Sequence, residues 1–295
     1  ALAISIYPED KQDIIDFFGG YQDILNKKVR ILHNRSFIDD PTRILRAIRF
    51  EQRFGFLIER HTLKLLKEAV SLKMLEKLSA HRLRDELTLV FKEENVIKVI
   101  QRIDELVSWN NLISELKLNK RKIKFLNSIK RIIEWYNKSF PHKRKLDSWL
   151  MYLLGLLDGL NKNCIESFLE KFSFRKGETK RILSYIMKEK NLREKLKKKL
   201  KPSMVNSYLE PLSYEVILLL KAKSKNRILN KNIENFFKLY NNVRISIDGK
   251  DLKALGIKQG PCYQTIFKKL IQAKLDQNIK TKEEEINFVK KLIKK

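Results

Sequence analysis

Between residues 21 and 248 the chain has only four glycines, Gly55, Gly155, Gly159 and Gly177, and six prolines serve its whole length of 295 residues. Glycine and proline are the residues that most readily end helices and turn chains. Their scarcity leaves long helices as the architecture that fits. The apolar residues agree: Leu63, Leu65, Leu66, Val70 and Leu72, then Leu83, Leu87, Val90 and Phe91, recur at the 3.6-residue period. The runs Trp149–Leu154 and Val216–Leu220 continue it. Residues 33–295 are therefore read as nearly all helix. Residues 1–32 differ, because Gly19-Gly20 makes a turn between apolar stretches and Val29-Arg30-Ile31-Leu32 alternates like a short strand. That segment reads as a short α/β remnant, too small to bury a core alone. The basic run Glu194–Lys201, stopped by Pro202, marks a boundary.

Charge narrows the partner. Lysine and arginine number 63 against 35 acids, a net +28 spread along the chain. A surface this basic predicts a polyanion. Nucleic acid is favoured over a membrane, since no apolar run approaches the roughly 18–20 residues of a spanning helix. Cys164 and Cys262 stand far apart with no CxxC, and the four histidines show no zinc spacing. Two ordinary thiols in a reducing cytoplasm are expected, with no metal site among these residues.

The stretch Asp39–Phe50, DDPTRILRAIRF, carries the most chemistry. Asp40-Pro41 suits a helix start, aspartate as N-cap and proline in the first turn. Asp40, Arg43, Arg46 and Arg49 then step by about 300° each, a drifting stripe roughly 13 Å long. Ile44, Leu45, Ala47 and Ile48 lie opposite and can bury. A carboxylate only accepts hydrogen bonds and a guanidinium only donates. Asp40 can thus accept from the exocyclic amine of adenine or cytosine while Arg43 donates to the neighbouring ring nitrogen. Guanine and uracil carry a carbonyl in place of that amine and would meet the carboxylate acceptor to acceptor. The rival reading of Asp40 is a plain helix cap, and the residues alone leave both open.

Phe37–Phe50, FIDDPTRILRAIRF, resembles the neck motif EDxxRxxRAxRF of class II tRNA nucleotidyltransferases, a family of CCA-adding and A-adding enzymes and bacterial poly(A) polymerases. Further stretches agree in order: the opening ALAISI resembles the segment just after the RRDFTIN motif of the head domain. DFFGGYQDI, Asp16–Ile24, resembles the hinge motif DxxGGxxDL, and SAHRLRDEL, Ser79–Leu87, resembles SxxRxxxEL. Gly249–Pro261 resembles the tail element GxDLxxLGxxPGP, with Glu283-Glu284-Glu285 following. The resemblance implies a mainly α fold of multi-helix neck, body and tail after the end of an α/β nucleotidyltransferase head. It places the head remnant at 1–32, the neck at 33–92, the body at 93–200 and a tRNA-binding tail at 201–295. It implies nucleotide contacts from Asp40, Arg43, Arg46 and Arg49, a hinge at Gly19 and Gly20, and support from Asp39, Arg82 and Glu86. Arg82, Arg84 and Glu86 also read as a charge network on an amphipathic packing helix.

The family's metal-binding carboxylates and RRD tripeptide would precede Ala1, and neither occurs here. The first methionine is Met74, and the chain opens within an apolar segment. These observations predict a fragment with no catalytic residue of its own, whose Mg²⁺ is held by a head domain. Expected partners are tRNA and ATP or CTP, in the cytoplasm. The alternatives are a poly(A) polymerase, or a non-catalytic RNA-binding subunit that receives its head in trans. The lysine-rich stretches 117–131, 180–201 and 268–295 are read either as a phosphate-backbone footprint or as solvated helix faces.

Overall fold

The computed structural model describes residues 2–4, 14–276 and 279–293. Part of the ALAISI segment lies outside them. The chain divides into two compact units, Ala1–Ile182 and Leu183–Lys295. Both are mainly helical, and the strands among the described residues are two residues long.

In the first unit β1 (Ala3–Ile4) pairs antiparallel with β2 (Ile14–Ile15), Ala3 opposite Ile15. Helix α1 (Gly20–Leu25) follows, then β3 (Lys28–Val29), α2 (Ser36–Asp39), α3 (Thr42–Phe54) and β4 (Leu57–Ile58). β3 and β4 pair in parallel, which ties the entry of this segment to the exit of α3. Helix α3 ends because Gly55 takes the left-handed conformation at φ 64°. Next come α4 (Arg60–Ser71), α5 (Ala80–Phe91), α6 (Val96–Leu106), α7 (Trp109–Leu112), α8 (Lys120–Ser139), α9 (Ser148–Leu157) and α10 (Lys162–Lys171). Glu59 caps α4 by accepting from the His61 and Thr62 amides.

The core explains the spacing of the apolar residues. Ile44, Leu45 and Ile48 of α3 are fully buried, and Leu83, Leu87, Val90 and Phe91 of α5 are buried with them. The earlier leucine series is less uniform: Leu66 is buried, whereas Leu72, just past the end of α4, is 60% exposed. α9 is buried on every side from Trp149 to Leu157. It packs on α8 at Gly155, where an added Cβ would come 2.6 Å from Ile129 Cδ1. Trp109 is buried, stacks on Phe91 and donates from Nε1 to the Ile100 carbonyl at 2.9 Å.

Helix α11 (Lys176–Leu196) contains the division between the units. The second unit continues with α12 (Pro202–Leu209), α13 (Tyr214–Lys223), α14 (Arg227–Lys238), α15 (Gly249–Ala254), α16 (Pro261–Leu275) and α17 (Lys282–Ile293). Pro202 and Pro261 each open a helix, where a missing N–H costs nothing. Asp248 and Asp251 form a reciprocal capping box on α15. Ile247, Leu252, Leu270, Ala273, Ile279 and Val289 make a small core, pinned by Glu285. That carboxylate is wholly buried and accepts from the Ser246 and Ile247 amides and from Lys274. Glu284 caps the start of α17 through the Lys280 and Thr281 amides.

Some lysines of the basic stretches are structural. Lys122 donates from Nζ to the Leu156 and Asp158 carbonyls, both at 2.6 Å, closing the end of α9. Among the described residues no helix is long and apolar enough to cross a membrane.

Candidate functional site

Asp40 sits between two helices. It ends α2 with an extended backbone, φ −141°, while Pro41 at φ −63° and ψ −17° is already helical. The Arg43 amide donates to the Asp40 carbonyl at 3.1 Å, the first bond of the turn that becomes α3. The side chain caps that turn as well: Oδ1 accepts from the Thr42 amide at 3.1 Å and from the Thr42 hydroxyl at 2.6 Å. Arg82 of α5 donates from Nη2 to the same oxygen at 2.9 Å. The other oxygen, Oδ2, has Arg43 Nε at 3.9 Å, beyond hydrogen-bond reach. The cap therefore uses one oxygen and leaves the second beside Arg43 on a surface edge, with the two side chains 21% and 43% exposed.

Burial pushes the Asp40 carboxyl up, but the two bonds from Thr42, then the Arg82 and Arg43 charges, outweigh it and hold it below the usual carboxylate range. The group is an anionic acceptor at neutral pH. Arg43 is steadied from behind, where Nη1 reaches the Ser36 carbonyl at 3.4 Å.

The stripe then diverges. Arg46 is exposed, and among the described residues no hydrogen bond or ion pair holds it. Its charge is nevertheless felt by Glu86. Arg49, expected to contact nucleotide, is buried and paired with acids. Its side chain is 8% exposed and lies between Glu86, 3.5 Å from Nη2, and Glu93, 3.2 Å from Nη1. Arg53 grips Glu93 with two further bonds at 2.8 and 2.7 Å. Burial raises the Glu86 carboxyl, opposed by Arg49 and Arg46. Two residues beyond Arg49, buried Glu51 is held by Arg102 of α6 through two bonds of 2.7 and 3.0 Å. Glu51 in turn accepts from the Ile58 amide. These pairs lock α3 against α5, α6 and β4, and so fix the direction in which Asp40 and Arg43 face.

Asp39 lies 46% exposed, 3.5 Å from Arg35 Nε and 3.9 Å from His33 Nδ1. Arg84 turns from the site to bond the Ser173 carbonyl at 2.7 Å. Gly19 has φ 67°, a left-handed conformation that a side chain would strain, and Gly20 opens α1. Asp16 holds this turn, Oδ1 accepting from the Gly20 amide at 2.8 Å and Oδ2 from the Tyr21 amide at 2.9 Å. Asp23 is paired with Arg30 at 3.0 Å. Among the described residues no three His, Cys, Asp or Glu side chains converge as a metal-holding group. Asp16 and Asp23, engaged as a cap and an ion pair, do not fit a two-metal site.

Thr42 escaped the sequence reading. A threonine two positions after an acid at a helix start is the available signal, because its hydroxyl and amide can both reach back to the carboxylate.

No family model matches the chain. The A-adding tRNA nucleotidyltransferase of Geobacter sulfurreducens is 32% identical over 301 residues, 99% of this chain and 34% of that protein. A solved CCA-adding enzyme in complex with CTP superposes with a TM-score of 0.77 at 31% identity, covering 100% of this chain and 70% of its own. The Thermotoga maritima CCA-adding enzyme complexed with tRNA gives a TM-score of 0.75 at 31% identity, over 99% and 70%. The chain spans about a third of the length of the curated relatives it matches. Fold and sequence together match the mainly helical part of these CCA-adding enzymes. The chain belongs to the class II tRNA nucleotidyltransferase family.

Proposed function

We propose that this chain selects the nucleotide and grips the RNA in an enzyme that adds CMP or AMP to the 3′ end of tRNA. The observation that carries the reading is the division of labour on Asp40, one oxygen held by Thr42 and Arg82 and the other open beside Arg43. Oδ2 accepts a hydrogen bond from the exocyclic amine of adenine or cytosine. The Arg43 guanidinium donates to the adjacent ring nitrogen. A guanine or uracil carbonyl would face Oδ2 with no proton between them, and a polar edge left unpaired is rejected more strongly than a misfit of shape. Arg46, exposed further along α3, meets the phosphates. Arg49 positions Glu86 and the helix rather than touching nucleotide.

The 3′ hydroxyl of the RNA attacks the α-phosphorus of the selected nucleotide, and pyrophosphate leaves. The charge neutralisation this transfer needs is what a Mg²⁺ ion would supply. The described residues do not hold it, and the reading assigns it to a nucleotidyltransferase head. Residues 1–32 are the end of that head, 33–92 the neck, 93–200 the body and 201–295 the tail. The apolar side chains of Phe17, Phe18, Tyr21, Ile24 and Leu25, each at least half exposed, support an interface with the head. Gly19 and Gly20 are the hinge beside it. The solved neighbours in complex with CTP and with tRNA support nucleotide and tRNA as ligands. The name of the Geobacter relative favours a second reading, addition of the terminal A alone.

The test joins this chain to its head domain. The polypeptide is incubated with tRNA ending at the discriminator base, or in CC, and each nucleoside triphosphate separately. Incorporation of C or A, with G and U refused, is expected. A-addition to CC-ended tRNA alone selects the second reading. Equal use of all four bases overturns the assignment.

A further inference from the structure

We propose that Thr42 sets base choice as a positioning residue, by fixing the plane of the Asp40 carboxylate so that Oδ2 alone meets the nucleobase. The inference rests on the base-reading function above. Thr42 is 4% exposed and donates twice to one oxygen, from its amide at 3.1 Å and from its hydroxyl at 2.6 Å. The amide bond is the ordinary helix cap. The hydroxyl bond is additional, short and charge-assisted.

A carboxylate turns easily about its last torsion, which is broad and two-fold. Reading a planar base edge requires that Oδ2 stay in the plane shared by the base and the Arg43 guanidinium. Arg82 also reaches Oδ1 at 2.9 Å, but its side chain is 48% exposed and long. A buried β-branched side chain has little rotamer freedom and makes the stiffer anchor. Three donors thus converge on Oδ1, and Arg43 Nε stands 3.9 Å from Oδ2. The depressed carboxyl pKa of Asp40 agrees with such a clamp.

The test uses the full 295-residue chain. Binding of ATP, CTP, GTP and UTP is measured by saturation-transfer NMR for the wild type, Thr42→Val, Thr42→Ala and Thr42→Ser, with thermal melts to confirm folding. Thr42→Val keeps the amide cap and the branched shape and loses only the hydroxyl. It is expected to cut the preference for ATP over GTP about tenfold, the scale of one charge-assisted hydrogen bond. Affinity averaged over the four nucleotides should change less than about twofold. Thr42→Ser restores the preference, and the Asp40 carboxyl, followed by carbon-13 NMR, titrates higher in Thr42→Val than in Thr42→Ser. Thr42→Ala is read in parallel and decides the matter if Thr42→Val does not fold. Wild-type preference in either hydroxyl-free variant overturns the role of Thr42 while leaving base reading intact. A wild-type chain that binds all four alike overturns both.

Discussion

Arg49 Nη1 and Glu93 Oε1 stand 3.2 Å apart, a buried bond between residues 44 positions apart in the chain. It joins the middle of α3 to the segment after α5, and Arg53 shares the same carboxylate. Arg49→Met would leave Glu86 and Glu93 buried with less compensating charge. Breaking one partner of a buried pair costs about 3 kcal/mol. Urea denaturation should register a loss of that order, while the folded fraction keeps its base preference. A variant of unchanged stability that loses nucleotide binding would return Arg49 to direct contact.

Much of α3 was legible in its own sequence. Ile44, Leu45, Ala47 and Ile48 bury as their period requires. Asp40 caps α3 through Oδ1, as its place before Pro41 suggested, and its other oxygen is the one the proposed base reading would use. What the stripe of arginines did not reveal is which of them faces outward. That depends on acids brought by tertiary packing, Glu86 from α5 and Glu93 beyond it, and no local spacing encodes them. Likewise the acids at 283–285 matched a motif, yet Glu285 is spent inside the second unit and Glu284 on a helix cap.

Arg46→Ala should weaken all four nucleoside triphosphates alike, by roughly three- to fivefold at low salt and less at about 0.5 M, because an exposed cation acts on phosphate through screened charge. Titration calorimetry at two salt concentrations checks this. An effect confined to one base would assign Arg46 to the ring instead.

Acid should loosen the second unit. Burial pushes the Glu285 carboxyl up, but Lys274 and the Ser246 and Ile247 amides outweigh it and hold it below its ordinary 4.5. A carboxylate lowered in the folded state stabilises above its unfolded pKa, and that stability drains as the pH falls through the folded value. Thermal melts between about pH 7 and pH 3 should therefore show a loss beginning below about pH 4.5, with hydrogen exchange rising first at Ser246 and Ile247. Glu285→Gln should be less stable at neutral pH and should respond less to acid. Equal acid sensitivity of the two proteins would remove Glu285 from the account.

The most direct measurement compares the four nucleoside triphosphates on the wild-type chain and on Asp40→Asn, by competition in saturation-transfer NMR. Asparagine keeps the shape and replaces one acceptor with an N–H donor, able to serve the carbonyl of guanine or uracil. Wild type should favour ATP and CTP by at least about tenfold, and Asp40→Asn should admit GTP and UTP. Identical preferences in the two proteins would contradict the claim that this carboxylate reads the base.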